Sequence, residues 1–66
     1  MNFKQRLEAA RIAKVGDLWS ALRKHDTVEI VGYDARLNFT IRQAGKPKAA
    51  VRVNSITSLA RNYTPK

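Results

Sequence analysis

The stretch RLNFTIRQAGKPKAAVRV, residues 36–53, decides the fold because it holds two runs of alternating apolar and polar residues around a turn sequence. The bulky apolar residues of both runs share one parity: Leu37, Phe39, Ile41, Val51 and Val53. A period of two indicates a strand with one buried face, and Gly followed by Pro in AGKPK marks a turn. The stretch therefore predicts an antiparallel hairpin.

The pairing within this hairpin follows from burial, because a slip of one residue would turn the apolar set towards water. Phe39 is expected opposite Val53, and Ile41 opposite Val51, with the turn at Gly45-Lys46-Pro47. The opposite parity gathers polar side chains on the outward face: Asn38, Thr40, Arg42, Lys48 and Arg52, with Lys46 at the tip.

A third strand is predicted upstream in TVEIVGY, residues 27–33, where Val28 and Ile30 point inward. We expect Ile30 opposite Phe39 across a four-residue turn, which places Glu29 opposite Thr40.

Helical segments flank the strands. Asn2 can cap a helix over residues 3–15 that Gly16 ends, and Asp17 can cap a second helix over residues 18–25, in which Leu18, Trp19 and Leu22 recur at helical spacing. A last helix is expected in NSITSLARNY, with Tyr63 on its apolar face.

The predicted fold class is α+β in the order α-α-β-β-β-α, with a three-stranded antiparallel sheet whose apolar face the helices cover. Residues 1–66 are expected to form a single small basic domain with Trp19 and Phe3 in its core. The small core and two edge strands would allow a homodimer through an edge or through the first helix.

Charge is the strongest indication of function. The chain has a formal net charge of +8, and all of its acids lie in the first 34 residues, so residues 35–66 hold seven cations and no acid. The cations of the hairpin are therefore expected to lack local counter-charges. Concentrated positive charge attracts polyanions, of which nucleic acid is the commonest in a cell.

These observations predict a small non-enzymatic nucleic-acid-binding protein, a regulator or accessory factor, whose hairpin face contacts DNA or RNA. Two- and three-stranded sheets fit the DNA major groove, and Arg, Asn and Thr can reach base edges there. Phosphate contacts are assigned to Arg42, Lys46, Lys48 and Arg52, secondary contacts to Asn38 and Thr40, and flanking charge to Arg36 and Arg61. Stacking on single strands is less favoured, because the outward sheet positions carry no aromatic residue.

Two alternatives remain open for the basic face. Its charges could merely protect an edge strand from aggregation. They could also dock the chain, as a modulator or inhibitor of the phage type, on an acidic surface of a host enzyme or polymerase.

Catalysis, metals and cofactors are not expected. His25 is the sole histidine, cysteine is absent, and the acids are scattered. We expect His25 to sit at a helix end, where the dipole stabilises its charged form. A basic nuclease toxin stays a minor alternative. No apolar run approaches the length of a membrane span, so a cytoplasmic protein without membrane contact is expected.

Short resemblances point towards nucleic-acid binders. ALRKHDTVEI followed by VRVNSIT resembles the helix-to-strand entry and late strand of Sm-like RNA chaperones, although the sequence is about one strand too short for their five-stranded barrel. The α-β-β-β-α order is similar to that of double-stranded-RNA-binding domains, and a sheet followed by a helix resembles the arm-binding domains of phage integrases. These patterns carry no specific motif, and we assign no family.

Overall fold

The computed structural model describes residues 1–45, 50–53 and 55–66. Its elements are α1 (Phe3–Arg11), β1 (Leu18–Ala21), β2 (Thr27–Tyr33), β3 (Phe39–Gln43), β4 (Val51–Val53), α2 (Ser55–Asn62) and β5 (Tyr63–Pro65). The α+β class is confirmed. The predicted three-stranded sheet was wrong, because the strands form one curled five-stranded antiparallel sheet in the order β4-β3-β2-β1-β5.

The predicted second helix is instead strand β1. Trp19 pairs with Val28 of β2 and is 2% exposed, whereas Leu18 and Leu22 are largely exposed. A four-residue apolar segment fits a helix and a strand equally well by spacing. Leu18–Ala21 forms a strand because it pairs with β2 on one side and with β5 on the other. His25 consequently lies in the exposed turn that follows β1, and its predicted place at a helix end was wrong.

The last strand, β5, was not predicted. Tyr63 pairs with Ala21 and Pro65 with Trp19, so Tyr63 belongs to the sheet and not to the helix. Pro65 is compatible with this position because β5 is an edge strand, where a missing N–H breaks no ladder. The helix before it, α2, lies where the sequence predicted it.

Helix α1 begins as predicted and ends early. The Asn2 side chain accepts a hydrogen bond from the Gln5 backbone N–H, and the Gln5 side chain accepts one from the Asn2 N–H, which forms a capping box. The helix ends at Arg11, one turn before the expected Gly16. The α1 helix packs on α2, and the Arg6 Nε donates to the Ala60 carbonyl oxygen at 2.7 Å.

The predicted register of the hairpin is confirmed: Phe39 pairs with Val53, Thr40 with Arg52 and Ile41 with Val51. The register predicted between β2 and β3 was wrong by two residues, since Ile30 pairs with Ile41. A bulge between Ile30 and Gly32 adds a residue to β2, and the predicted four-residue turn did not allow for this extra residue. A shift of two residues keeps every side chain on its own face, so the inward and outward sets survived the error.

The core forms on the inward face of the sheet under α2. Its largest fully buried side chains are Trp19, Ile30, Phe39 and Leu59. Trp19 and Phe39 were predicted there. Phe3 is 40% exposed, so its predicted burial was wrong. Among the described residues, no helix is long and apolar enough to cross a membrane.

Candidate nucleic-acid interface

The outward face of the sheet brings two arginines together. Phe39, Ile41 and Val53 are buried, so the residues between them on β3 and β4 point to the other side. Arg42 and Arg52 lie there with 46% and 63% of their side chains exposed. Because Arg52 pairs with Thr40, Arg42 is its diagonal neighbour, and such neighbours lie about 7–8 Å apart.

Both arginines nevertheless have acidic partners, and the expectation that they lack local counter-charges was wrong. The corrected register places Glu29 opposite Arg42, with 3.9 Å between Glu29 Oε1 and an Arg42 guanidinium nitrogen. Arg52 lies 3.1 Å from Asp34 Oδ2. Glu29 and Asp34 precede residue 35, so the charge count of residues 35–66 did not include them. The fold nevertheless places both acids beside the arginines of the outward face.

Asp34 organises the loop between β2 and β3. One carboxylate oxygen accepts from the backbone N–H groups of Arg36 and Asn38, and the other accepts from the Asn38 amide nitrogen and from Arg52. The hydrogen bonds from Asn38 are the main cause that lowers the pKa of Asp34, with smaller contributions from Arg36 and Arg52. Asp34 is therefore a fixed anion at neutral pH.

Asn38 is engaged within the chain on both sides of its amide. Its nitrogen donates to Asp34, and its oxygen accepts from the Ser55 backbone N–H at 3.0 Å. The amide thus joins the β2–β3 loop to the start of α2. Binding a base edge with Asn38 would require at least one of these hydrogen bonds to be exchanged.

The other predicted site residues are more dispersed. Thr40 lies half-buried between the two arginines, Arg36 is exposed in the β2–β3 loop, and Arg61 is exposed in the last turn of α2. Lys46 and Lys48 lie outside the described residues.

One cation of this face was missed by sequence reasoning. Lys66 follows β5, and its Nζ donates to the Thr27 hydroxyl at 2.9 Å. Thr27 precedes the buried Val28 and therefore points outward. The acid-free composition of residues 35–66 already included Lys66, but only the existence of β5 places it on the sheet.

The described residues contain no group of three His, Cys, Asp or Glu side chains that could hold a metal ion. Comparisons with protein-family models, with curated proteins and with solved structures found no match. The class that the fold defines is therefore structural: a small α+β domain with two helices on a curled five-stranded antiparallel sheet.

Proposed function

We propose that this chain is a small non-enzymatic nucleic-acid-binding protein that contacts phosphates with the outward face of its sheet. The observation that carries the proposal is the placement of Arg42 and Arg52 on one exposed face, as diagonal neighbours on adjacent strands. Two long guanidinium side chains at this spacing can reach neighbouring phosphates of one strand, and guanidinium binds phosphate in a bidentate manner.

The two ion pairs are compatible with this role. Both are solvent-exposed, and the Arg42–Glu29 pair is long at 3.9 Å. Exposed pairs contribute little to stability and are screened by salt, so phosphates can replace the carboxylates at small cost. Glu29 and Asp34 would then limit affinity and disfavour weak, non-specific polyanions.

Within this proposal, Lys66 joins Arg42 and Arg52 in phosphate contact, and Thr40 supplies a hydroxyl between them. Arg36 and Arg61 contribute flanking charge. Asn38 acts mainly by holding the loop that carries Asp34, and its direct contact is secondary. Lys46 and Lys48 remain proposed contacts on the strength of the sequence alone.

The test is a mobility-shift panel of duplex DNA, duplex RNA and single strands at two salt concentrations. Binding that weakens steeply with salt is expected, because each neutralised phosphate releases counterions. Absence of binding to every member at low salt, or binding that ignores salt, would contradict the proposal. The same panel decides between DNA and RNA.

One observation favours the second candidate, a modulator that docks on an acidic protein. A groove of about 310 Å³ between α1, β1 and β5 is lined by Ile12 and Leu18 and bordered by Lys66. Ile12 is 75% exposed and Leu18 is 45% exposed. An acidic partner surface with an apolar residue would complement both the groove and the net charge of the chain.

Affinity capture with and without nuclease separates the two candidates. Partners that disappear after digestion support nucleic-acid binding. A stoichiometric protein that survives digestion, and that an Ile12→Asp variant no longer retains, supports the modulator.

A further inference from the structure

A second cavity lies at the opposite side of the sheet from the arginines. It has a volume of about 280 Å³ and opens where the β1–β2 turn meets the end of α2. Val28 is buried in the core and lines the cavity, and Ala21 and Tyr63 form the cross-strand pair beside it. Ala21 has the same parity as the buried Trp19, so the cavity faces inward and shares no residue with the outward face.

The cavity combines an apolar wall with positive charge. Ala21, Val28 and the half-buried ring of Tyr63 supply apolar surface, while Arg23 and Lys24 line it from the exposed turn. An aromatic ring beside cations is the combination by which proteins hold one unpaired nucleotide, with the base stacked and the phosphate ion-paired. The volume of about 280 Å³ is just below the range of about 300–1,000 Å³ that is usual for ligand sites, which suits a single base.

The walls of the cavity are held in place by hydrogen bonds. The Leu22 N–H donates to the Asn62 carbonyl oxygen at 2.9 Å, which ties the turn to the end of α2. The Ala21 N–H donates to the Asp26 carbonyl oxygen at 2.9 Å and closes the turn itself. The backbone on both sides of the cavity is therefore held in place before a ligand arrives, which lowers the entropic cost of binding.

Two polar side chains of the cavity present acceptors. The Asn62 amide nitrogen donates to the Ser58 carbonyl oxygen at 3.0 Å, which orients the amide so that its oxygen can accept from a ligand. One Asp26 oxygen accepts from the Gln43 amide nitrogen at 3.1 Å, which fixes the carboxylate while its second oxygen remains an acceptor. A ligand that satisfies both must offer two donor groups.

Guanine meets this requirement best among the bases. Its N1–H and N2 amino group are neighbouring donors on the Watson–Crick edge. Adenine and cytosine place a ring acceptor beside one amino group, and uracil flanks its single N–H with two carbonyls that a carboxylate would repel. We therefore propose that this cavity binds a guanine nucleotide, with Asp26 and Asn62 reading the base, Tyr63 stacking on it and Arg23 and Lys24 contacting the phosphate.

The proposal does not depend on the outward face, since neither Arg42 nor Arg52 takes part. Guanosine monophosphate, the other three nucleoside monophosphates, and short single strands with or without one guanine in a uridine background are titrated into the full chain. Binding is followed by two-dimensional NMR, with the Asn62 side-chain amide and the Tyr63 backbone amide as reporters. The monophosphates and the strands distinguish a free nucleotide from a residue of a nucleic acid.

Asp26→Asn is the decisive variant. In this variant the amide oxygen at position 26 keeps the hydrogen bond from the Gln43 amide nitrogen. The NH2 group then replaces the carboxylate oxygen that faces the guanine donors. We expect guanine affinity to fall about tenfold, the scale of one hydrogen bond to a charged group, and the preference over adenine to disappear. Glu8→Gln removes the same unit of charge from the exposed side of α1. It should change neither the guanine affinity nor the preference for guanine over adenine.

Preferential guanine binding by either the monophosphate or the strand, lost in Asp26→Asn and retained in Glu8→Gln, supports the site. Absence of binding, equal binding of all four bases, or an unchanged preference in Asp26→Asn overturns it. Because the monophosphates carry a single phosphate group, failure here leaves the salt-dependent strand binding of the outward face to be judged on its own.

Discussion

Neutralising Arg42 and Arg52 tests the proposed interface most directly. The double variant Arg42→Gln/Arg52→Gln is preferable to charge reversal, because a glutamate at position 42 would lie opposite Glu29 in the sheet. Like charges directly opposite one another destabilise a sheet. Glutamine keeps the length of the side chain and removes only the charge, so the free energy of unfolding should change little.

The expected magnitude follows from counting contacts. If each arginine neutralises one phosphate, the slope of log affinity against log salt falls by about 1.8 for duplex DNA and about 1.4 for a single strand. Between about 50 and 150 mM salt, the loss of affinity should then be smaller in the variant by about sevenfold for duplex and about fivefold for single strand.

Fluorescence anisotropy with a labelled strand at four or five salt concentrations measures these slopes, and thermal unfolding confirms that the variant is folded. Lys4→Gln/Arg11→Gln is the matched control, because it removes two exposed charges from α1. Equal reductions of the slope in both variants would refute the assignment of the contacts to the outward face and leave only a general effect of net charge.

Three further predictions concern the scaffold. Phe39→Ala should destabilise the fold by about 3–5 kcal/mol, since Phe39 is fully buried, and denaturant unfolding measures the loss. Asn2→Ala should cost about 1 kcal/mol in the same assay, because it removes the acceptor of the capping box with Gln5, and no change would show that the cap is dispensable. The pKa of Asp34 is lowered from its ordinary value of 3.8, so the stability it contributes is complete above that value and is lost as pH falls through the lower folded pKa. The difference in unfolding free energy between the wild type and Asp34→Asn should therefore be constant above about pH 5 and shrink in stronger acid; a difference that changes near neutral pH would exclude this cause.

The hairpin could be predicted because its information is local. Alternation through Phe39 and Ile41 fixes both parity and register, and no distant residue is needed to decide either. The same parity assigned Arg42 and Arg52 correctly to one face.

Strand β1 and the register between β2 and β3 could not be predicted, because they depend on contacts between residues that are distant in sequence. Leu18–Ala21 is too short for its periodicity to separate helix from strand, and only its pairing with β2 and with β5 makes it a strand. The bulge at Gly32 moved Glu29 opposite Arg42, so a register error of two residues left the faces intact but concealed an ion pair.

The pairing of β1 with β5 has a consequence for how the chain is made. Trp19 emerges early in synthesis, yet its strand acquires a second neighbour only when Tyr63–Pro65 have been added. Until then one side of β1 exposes unpaired backbone. The Ala60 carbonyl oxygen, which accepts a hydrogen bond from the Arg6 side chain, is also synthesised only shortly before β5. The sheet can therefore be completed only after Tyr63–Pro65 have left the ribosome, so β1 stays an open edge through most of the synthesis of residues 1–66.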